Sequence, residues 1–155
     1  MARRTPRLAL AVQHATTAAS LPAPMLLRRW AKAAQERDCT VTVRFVGRRE
    51  GRTLNALYRG KDYATNVLTF VYDGDALEGD IVLCAPVLRH EAKAQGKLLA
   101  DHCAHLVVHG MLHLQGYEHD NARAARAMES RETAILARLG VPDPYARPRA
   151  SARRA

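Results

Sequence analysis

The sequence predicts a single domain of mixed α and β structure, on three observations. Four short apolar runs have strand character, five other segments carry apolar residues at helical spacing, and the two kinds interleave along the chain. A length of 155 residues suffices to bury a core without disulfides or a structural metal. The domain is expected to span residues 1–145. Residues 146–155 form a basic tail, with arginines at 147, 149, 153 and 154 and no acid after Asp143, expected to be disordered.

Leu8 to Val12 reads as the first strand, preceded by a basic arm. A Thr-, Ser- and Pro-containing linker follows, and Pro24 suits the first turn of a helix. Leu26, Leu27, Trp30, Ala31 and Ala34 give that helix an apolar face, with Arg28, Arg29, Lys32 and Arg37 mostly on its wet side. Thr40 to Val46 alternates Val41, Val43 and Phe45 with Thr42 and Arg44, as a half-buried strand does. Leu54, Leu57 and Tyr58 return to helical spacing, and a polar loop then leads into the strand-like run Val67 to Tyr72. Asp73-Gly74-Asp75 signals a turn, and Ile81 to Ala85 is the fourth strand. The acids Asp73, Asp75, Glu78 and Asp80 sit around glycines and fit turn chemistry better than a cation site.

Pro86 starts a helix that ends near Gly96. Leu98 to Leu114 is the longest helical pattern and is apolar over most of its circumference, which predicts a central, buried helix. Asn121 is placed to cap a last helix that ends near Leu139, before Gly140 and Pro142.

Composition narrows the function classes. Basic residues number 24 against 15 acidic, a net charge of +9, which favours a polyanionic partner. Cys39, Cys84 and Cys103 are odd in number and form no CxxC pair, as expected for thiols in a reducing, cytoplasmic setting. The apolar run after Arg3, Arg4 and Arg7 ends after five residues, too few for a secretory signal. No run is long enough to span a bilayer. No glycine-rich nucleotide loop is present, so neither a membrane nor a nucleotide cofactor is expected.

The stretch His109-Gly-Met-Leu-His113-Leu-Gln-Gly116-Tyr-Glu-His119 concentrates the chemistry. On a helix, His109 and His113 lie about 40° apart and about 6 Å along the axis, so both can hold one metal ion. Gly116 lets the chain leave the helix through a left-handed turn and bring His119 round as a third ligand. Three neutral nitrogens with one open position describe a catalytic zinc site, since structural sites are closed by four ligands. His102 and His105 occupy nearly the same face upstream and either extend this set or pack and cap.

Between Arg44 and Lys61 stand six basic residues and one acid, Glu50. Arg44, Arg48, Arg49, Arg52 and Lys61 are read as an edge that tracks phosphates, because they lead directly into the polar motif before Val67. Tyr58, Tyr63 and Tyr72 offer rings either to the core or to unpaired bases.

The histidine spacing coincides with the HExxHxxGxxH pattern of the metzincin peptidases, except that their general base is replaced by Gly110. The metal scaffold is therefore kept while the peptidase base is missing. Together with Leu54-Asn55-x-x-Tyr58-Arg59-x-x-Asp62-x-x-Thr65-x-Val67-Leu68-x-Phe70, Gly79-Asp80-Ile81 and Glu129-x-x-Glu132, the histidine motif resembles the YbeY family, bacterial rRNA maturation factors and metal-dependent endoribonucleases. The resemblance covers roughly Leu54 to Gly140. It departs at Asn66 and Glu118, where aspartate is usual, and Asn66 removes a possible anionic partner behind the ligands.

The resemblance implies an α+β domain with a small mixed sheet of about four strands, covered by about five helices. It implies one zinc ion held by His109, His113 and His119 in a cleft, with Arg59 facing it as a catalytic residue. The implied substrate is ribosomal RNA, chiefly the 3′ end of the small-subunit RNA, and the implied partners are the small ribosomal subunit or its assembly factors. Two rival readings stand beside it: a zinc peptidase-type hydrolase, and a non-catalytic RNA-binding assembly factor.

Overall fold

The computed structural model describes residues 4–17 and 20–146. The expected basic tail lies, from residue 147 onward, outside the described residues. Five helices and a four-stranded sheet form the expected α+β architecture. In chain order they are β1 (Leu8–Ala15), α1 (Pro24–Ala34), β2 (Cys39–Val46), α2 (Arg48–Arg59), β3 (Val67–Tyr72), β4 (Leu77–Cys84), α3 (Ala85–Ala94), α4 (Leu99–Leu114) and α5 (Ala122–Arg138).

The sheet order is β1-β2-β4-β3. β1 and β4 run parallel to β2, and β3 is antiparallel to β4 across the Asp73–Ala76 hairpin, so the sheet is mixed and β3 is an edge. β2 behaves as its alternation predicts: Val41, Val43 and Phe45 are buried on one face, where they join Ile81, Leu83 and residues of α1, α4 and α5. Val46, Leu68, Val82 and Cys84 point to the other face and form a smaller cluster with Leu54 of α2. The sheet is thus covered on one side by α2 and on the other by a layer built around α4.

Several boundaries differ from expectation, each for a local reason. β1 continues through Gln13 and His14 because pairing with β2 extends to Ala15 opposite Val46. α2 begins at Arg48, so the arginine-rich stretch before Leu54 is helical; Gly60 closes the helix at φ +69°, donating its N–H to Ala56. β4 starts four residues before Ile81 because its whole length pairs with β2. Glu78 and Asp80 are consequently strand residues, and Asp80 accepts a hydrogen bond from the Tyr72 hydroxyl across the hairpin. Asn121 caps α5 as expected, its Oδ1 accepting from the Ala124 N–H at 2.8 Å.

α4 is the central helix. Leu106, Val107, Val108, Met111, Leu112 and Leu114 are all buried, each such side chain contributing on the order of 1.5–3 kcal/mol. Two close approaches lock it onto the sheet. Gly79 of β4 faces Leu114, where an added Cβ would lie 2.7 Å from Leu114 Cδ2. Gly110 faces Ile81 slightly less tightly, with an added Cβ 3.0 Å from the nearest Ile81 carbons. Among the described residues, no helix is long and apolar enough to cross a membrane.

Candidate active site

The last two turns of α4 carry His109 and His113, and the chain then turns back as the sequence suggests. Gly116 adopts φ +103°, and the Tyr117 N–H returns to the Leu112 carbonyl at 3.0 Å. This brings His119 beside the helical pair, with ring centroids 4.6 Å apart for His109–His113, 4.8 Å for His113–His119 and 5.9 Å for His109–His119. One nitrogen from each of the three lies within 4.8 Å of the others.

Burial, together with the neighbouring His109 and His119, pushes the His113 imidazole below its ordinary pKa and favours the neutral form that a metal requires.

Glu132 of α5 completes the support. It is fully buried, and its Oε2 accepts the His109 Nδ1–H at 2.6 Å. His105 Nε2–H donates to Oε1 at 3.2 Å, and the Tyr145 hydroxyl donates to the same oxygen. Burial alone would raise the carboxyl's pKa, but these three donors outweigh it and hold the group ionised, down to about 2. With Nδ1 committed to Glu132, His109 has Nε2 to offer. This is the carboxylate–histidine arrangement that fixes tautomer and ring orientation behind metal ligands. The donor set therefore fits a borderline-soft divalent ion such as zinc: three imidazoles, neutral in the binding form and converging on one point, backed by a carboxylate.

The remaining histidines on that face have other partners. His105 belongs to the Glu132 network and could join His109 and Glu132 as a second donor group, but that carboxylate is already hydrogen bonded to both rings. His102 is buried, with Nε2 on Glu91 at 2.9 Å. Asn66 donates to the same Glu91 at 3.1 Å. The anionic partner thought to be lost at position 66 is thus supplied to His109 by Glu132, while Asn66 turns toward α3.

A cleft opens in front of the three histidines and passes over the edge strand β3 to α2. Arg59 and Tyr58 at the end of α2 line it, with Arg44, Phe70, Tyr72 and Glu118. Tyr58 is 62% exposed and packs edge-on against Phe70 at 5.0 Å, and Tyr72 is 48% exposed. These rings are therefore presented to the cleft rather than used as core. Asn55, buried in α2, donates to the Tyr63 carbonyl at 2.7 Å and so ties down the loop that follows Arg59.

The basic residues do not form one edge. Arg44 lines the cleft, but Glu50 holds its guanidinium through two bonds of 2.8 and 3.0 Å. Arg48, Arg49 and Arg52 line a separate hollow on the outer side of α2, and Arg52 is paired with Asp62 at 2.7 Å. Lys61 is exposed and lines neither.

Two features were missed in the sequence. Glu132 fitted a family pattern but had no assigned role; its position in a helix and its spacing from other acids gave no sign that it would meet His109. Tyr145 lay beyond the last recognised element, and no local signal marked it.

Comparison with known proteins identifies the family and the fold. The family model for Endoribonuclease YbeY matches residues 13–140. The chain is 59% identical over 144 residues to the Endoribonuclease YbeY of Aromatoleum aromaticum, covering 90% of this chain and 94% of that one. It is 55% identical over 139 residues to the Endoribonuclease YbeY of Nitrosomonas europaea, covering 89% and 85%. The solution structure of TM1509 from Thermotoga maritima shares the fold, with a TM-score of 0.57 at 22% identity over 89% of this chain and 99% of that one. A histidine-lined cleft on this fold and a match over most of the chain lead to one conclusion: the chain belongs to the Endoribonuclease YbeY family of RNA-cleaving hydrolases.

Proposed function

We propose that this chain is a zinc-dependent endoribonuclease that cuts single-stranded ribosomal RNA, acting in maturation of the 3′ end of the small-subunit RNA and in ribosome quality control. Its working partners are the small ribosomal subunit or its assembly factors, and its site of action is the cytoplasm, in keeping with three free, buried cysteines. The observation that carries the reading is the convergence of His109, His113 and His119 in a cleft that also holds Arg59.

His109, His113 and His119 would hold one zinc ion, which when bound lowers the pKa of a water ligand and polarises a phosphoryl oxygen. Arg59 pairs with the phosphate and offsets charge that builds on its oxygens, an effect on the order of 3 kcal/mol for such groups. Tyr58 and Tyr72 give unpaired bases faces to stack on, which favours single strands over duplex. Glu118 is the acceptor for the proton released by the nucleophile. Of the three carboxylates lining the cleft, Glu50 is tied to Arg44 and Asp80 to Tyr72, whereas Glu118 has no hydrogen-bond partner among the described residues.

The peptidase reading loses support because position 110, where its glutamate would stand, is packed against Ile81. The deciding experiment incubates wild type, Arg59→Ala and His113→Ala with a labelled single-stranded fragment of small-subunit RNA and with casein. Cleavage of RNA alone, lost in both variants, is the expected result. Cleavage of casein with intact RNA would overturn the reading, and RNA binding by wild type without any cutting would replace it with a non-catalytic assembly role.

A further inference from the structure

The geometry of α2 points to a second RNA-binding site, and we propose that the hollow on its outer side holds a single-stranded flank of the same RNA whose reactive phosphate lies in the histidine cleft. The inference rests on the RNA-cleaving reading above and extends it.

At about 100° per residue, α2 divides into three faces. Gly51 and Asn55 are buried against the body of the protein. Glu50, Leu54 and Tyr58 face the histidine cleft. Arg48, Arg49, Arg52 and Leu57 occupy the remaining half-turn and line a different hollow, to which the following loop adds Tyr63. The single acid there, Asp62, is consumed by its two bonds to Arg52 at 2.7 and 3.0 Å. Arg48 and Arg49 are exposed and have no carboxylate partner among the described residues. Arginine at high exposure without an acid partner leaves donors free for phosphate oxygens.

Two observations favour RNA over an acidic protein. Tyr63 is 57% exposed beside these arginines, and a ring next to phosphate-binding cations is what a base and its backbone require together. The two sites are also joined along one side of the helix. Arg48, Arg52 and Arg59 fall within about 40° of one another around the helix, and Arg48 and Arg59 lie about 16 Å apart along it. Arg59, at the far end of that stripe, lines the histidine cleft. A strand that leaves the cleft past Arg59 therefore follows this side of the helix, past the Arg52–Asp62 pair, to Arg48, Arg49 and Tyr63.

The test measures binding of labelled 2′-O-methyl oligonucleotides of about 4 and about 16 nucleotides to the full chain, with strand integrity checked on a gel. The longer strand is expected to bind at least about tenfold tighter than the shorter. In Arg48→Ala/Arg49→Ala that length advantage collapses to about twofold or less, and the salt dependence of long-strand binding falls by about 1.4 in log–log slope. Tyr63→Ala also lowers the advantage, while Tyr63→Phe keeps it. An unchanged length advantage in the double variant would overturn the second site while leaving the cleft reading intact. Arg48- and Arg49-dependent capture of poly-glutamate that RNA does not displace would overturn it in favour of an acidic protein partner. Failure of wild type to bind either strand, or to cut unmodified RNA, would bring down the cleft reading and this inference together.

Discussion

Gly110 lies so close to Ile81 that a Cβ at position 110 would stand 3.0, 3.0 and 3.1 Å from three carbons of that side chain. Ile81 is fully buried in β4, between α4 and the sheet, and has little room to give. The glycine that distinguishes this motif from a peptidase signature is therefore a packing requirement. The helix that carries His109 and His113 sits so close to the sheet that a side chain at position 110 would force Ile81 to shift by a few tenths of an ångström.

Gly110→Ala is expected to destabilise the protein by about 1–2 kcal/mol. Overpacking of this kind typically costs about 1–3 kcal/mol, and the better helix propensity of alanine returns up to about 1. Ile81→Ala removes all three crowded carbons, so the double variant should be less destabilised than the sum of the singles. Denaturant titration of the four proteins measures the coupling, and strict additivity would mean that the contact is not the cause. Gly110→Glu should fail to fold or to bind metal, and so should not yield a peptidase.

Glu132 makes a separable prediction. Glu132→Gln keeps the shape but weakens the hold on His109 Nδ1–H, and zinc affinity should fall about 10–100-fold, read by competition with a chelator. Glu132→Ala also leaves the donors of His105 and Tyr145 without their acceptor and should lower stability by about 3 kcal/mol or more. The pH dependence has a definite sign. The folded carboxyl titrates at about 2, below its ordinary 4.5, so its stabilisation is complete above the higher value and is lost as pH falls toward the lower. Metal-free wild type should therefore lose more stability than Glu132→Gln between these limits, by on the order of 3 kcal/mol.

The ligand set is tested by a contrast between two histidines. His119→Ala removes a donor of the converging group, and zinc content should drop well below one per chain after dialysis. His105→Ala leaves that group whole and should retain the metal, with a modest loss of affinity because His105 helps hold Glu132. Elemental analysis decides; equal loss in both would shift the site toward His105, His109 and Glu132.

Much of this arrangement is legible in the sequence because it is local. The i, i+4 histidines, the glycine that turns the chain and the third histidine lie within eleven residues, and the left-handed Gly116 follows from spacing alone. Alternation in β2 and the all-round apolar surface of α4 likewise specify which elements are central. What escapes is long-range. Glu132 is separated from His109 by 23 residues and reaches it only because α5 packs on α4. The division of the arginines is hidden for a related reason. Six cations in one stretch look like one patch until α2 is seen to span Arg48 to Arg59. Arg44 then stays on β2 and lines the cleft with Arg59 at the helix end, while Arg48, Arg49 and Arg52 line the outer hollow.

Two charged residues reach the cleft from outside the histidine-bearing helix, Arg59 from the end of α2 and Glu118 from the turn after α4. Arg59→Ala should leave zinc content unchanged and lower kcat about 10²–10³-fold, with Arg59→Lys recovering part of it, because a point charge replaces some of what a planar fork supplies. Glu118→Gln should lower kcat about 10²–10⁴-fold while KM for the RNA holds steady or falls, since a proton acceptor is removed along with a negative charge facing a polyanion. Single-turnover cleavage of a labelled RNA measures both. A rise in KM with kcat intact for Glu118→Gln would assign that carboxylate to substrate placement and leave proton transfer to the RNA or to solvent.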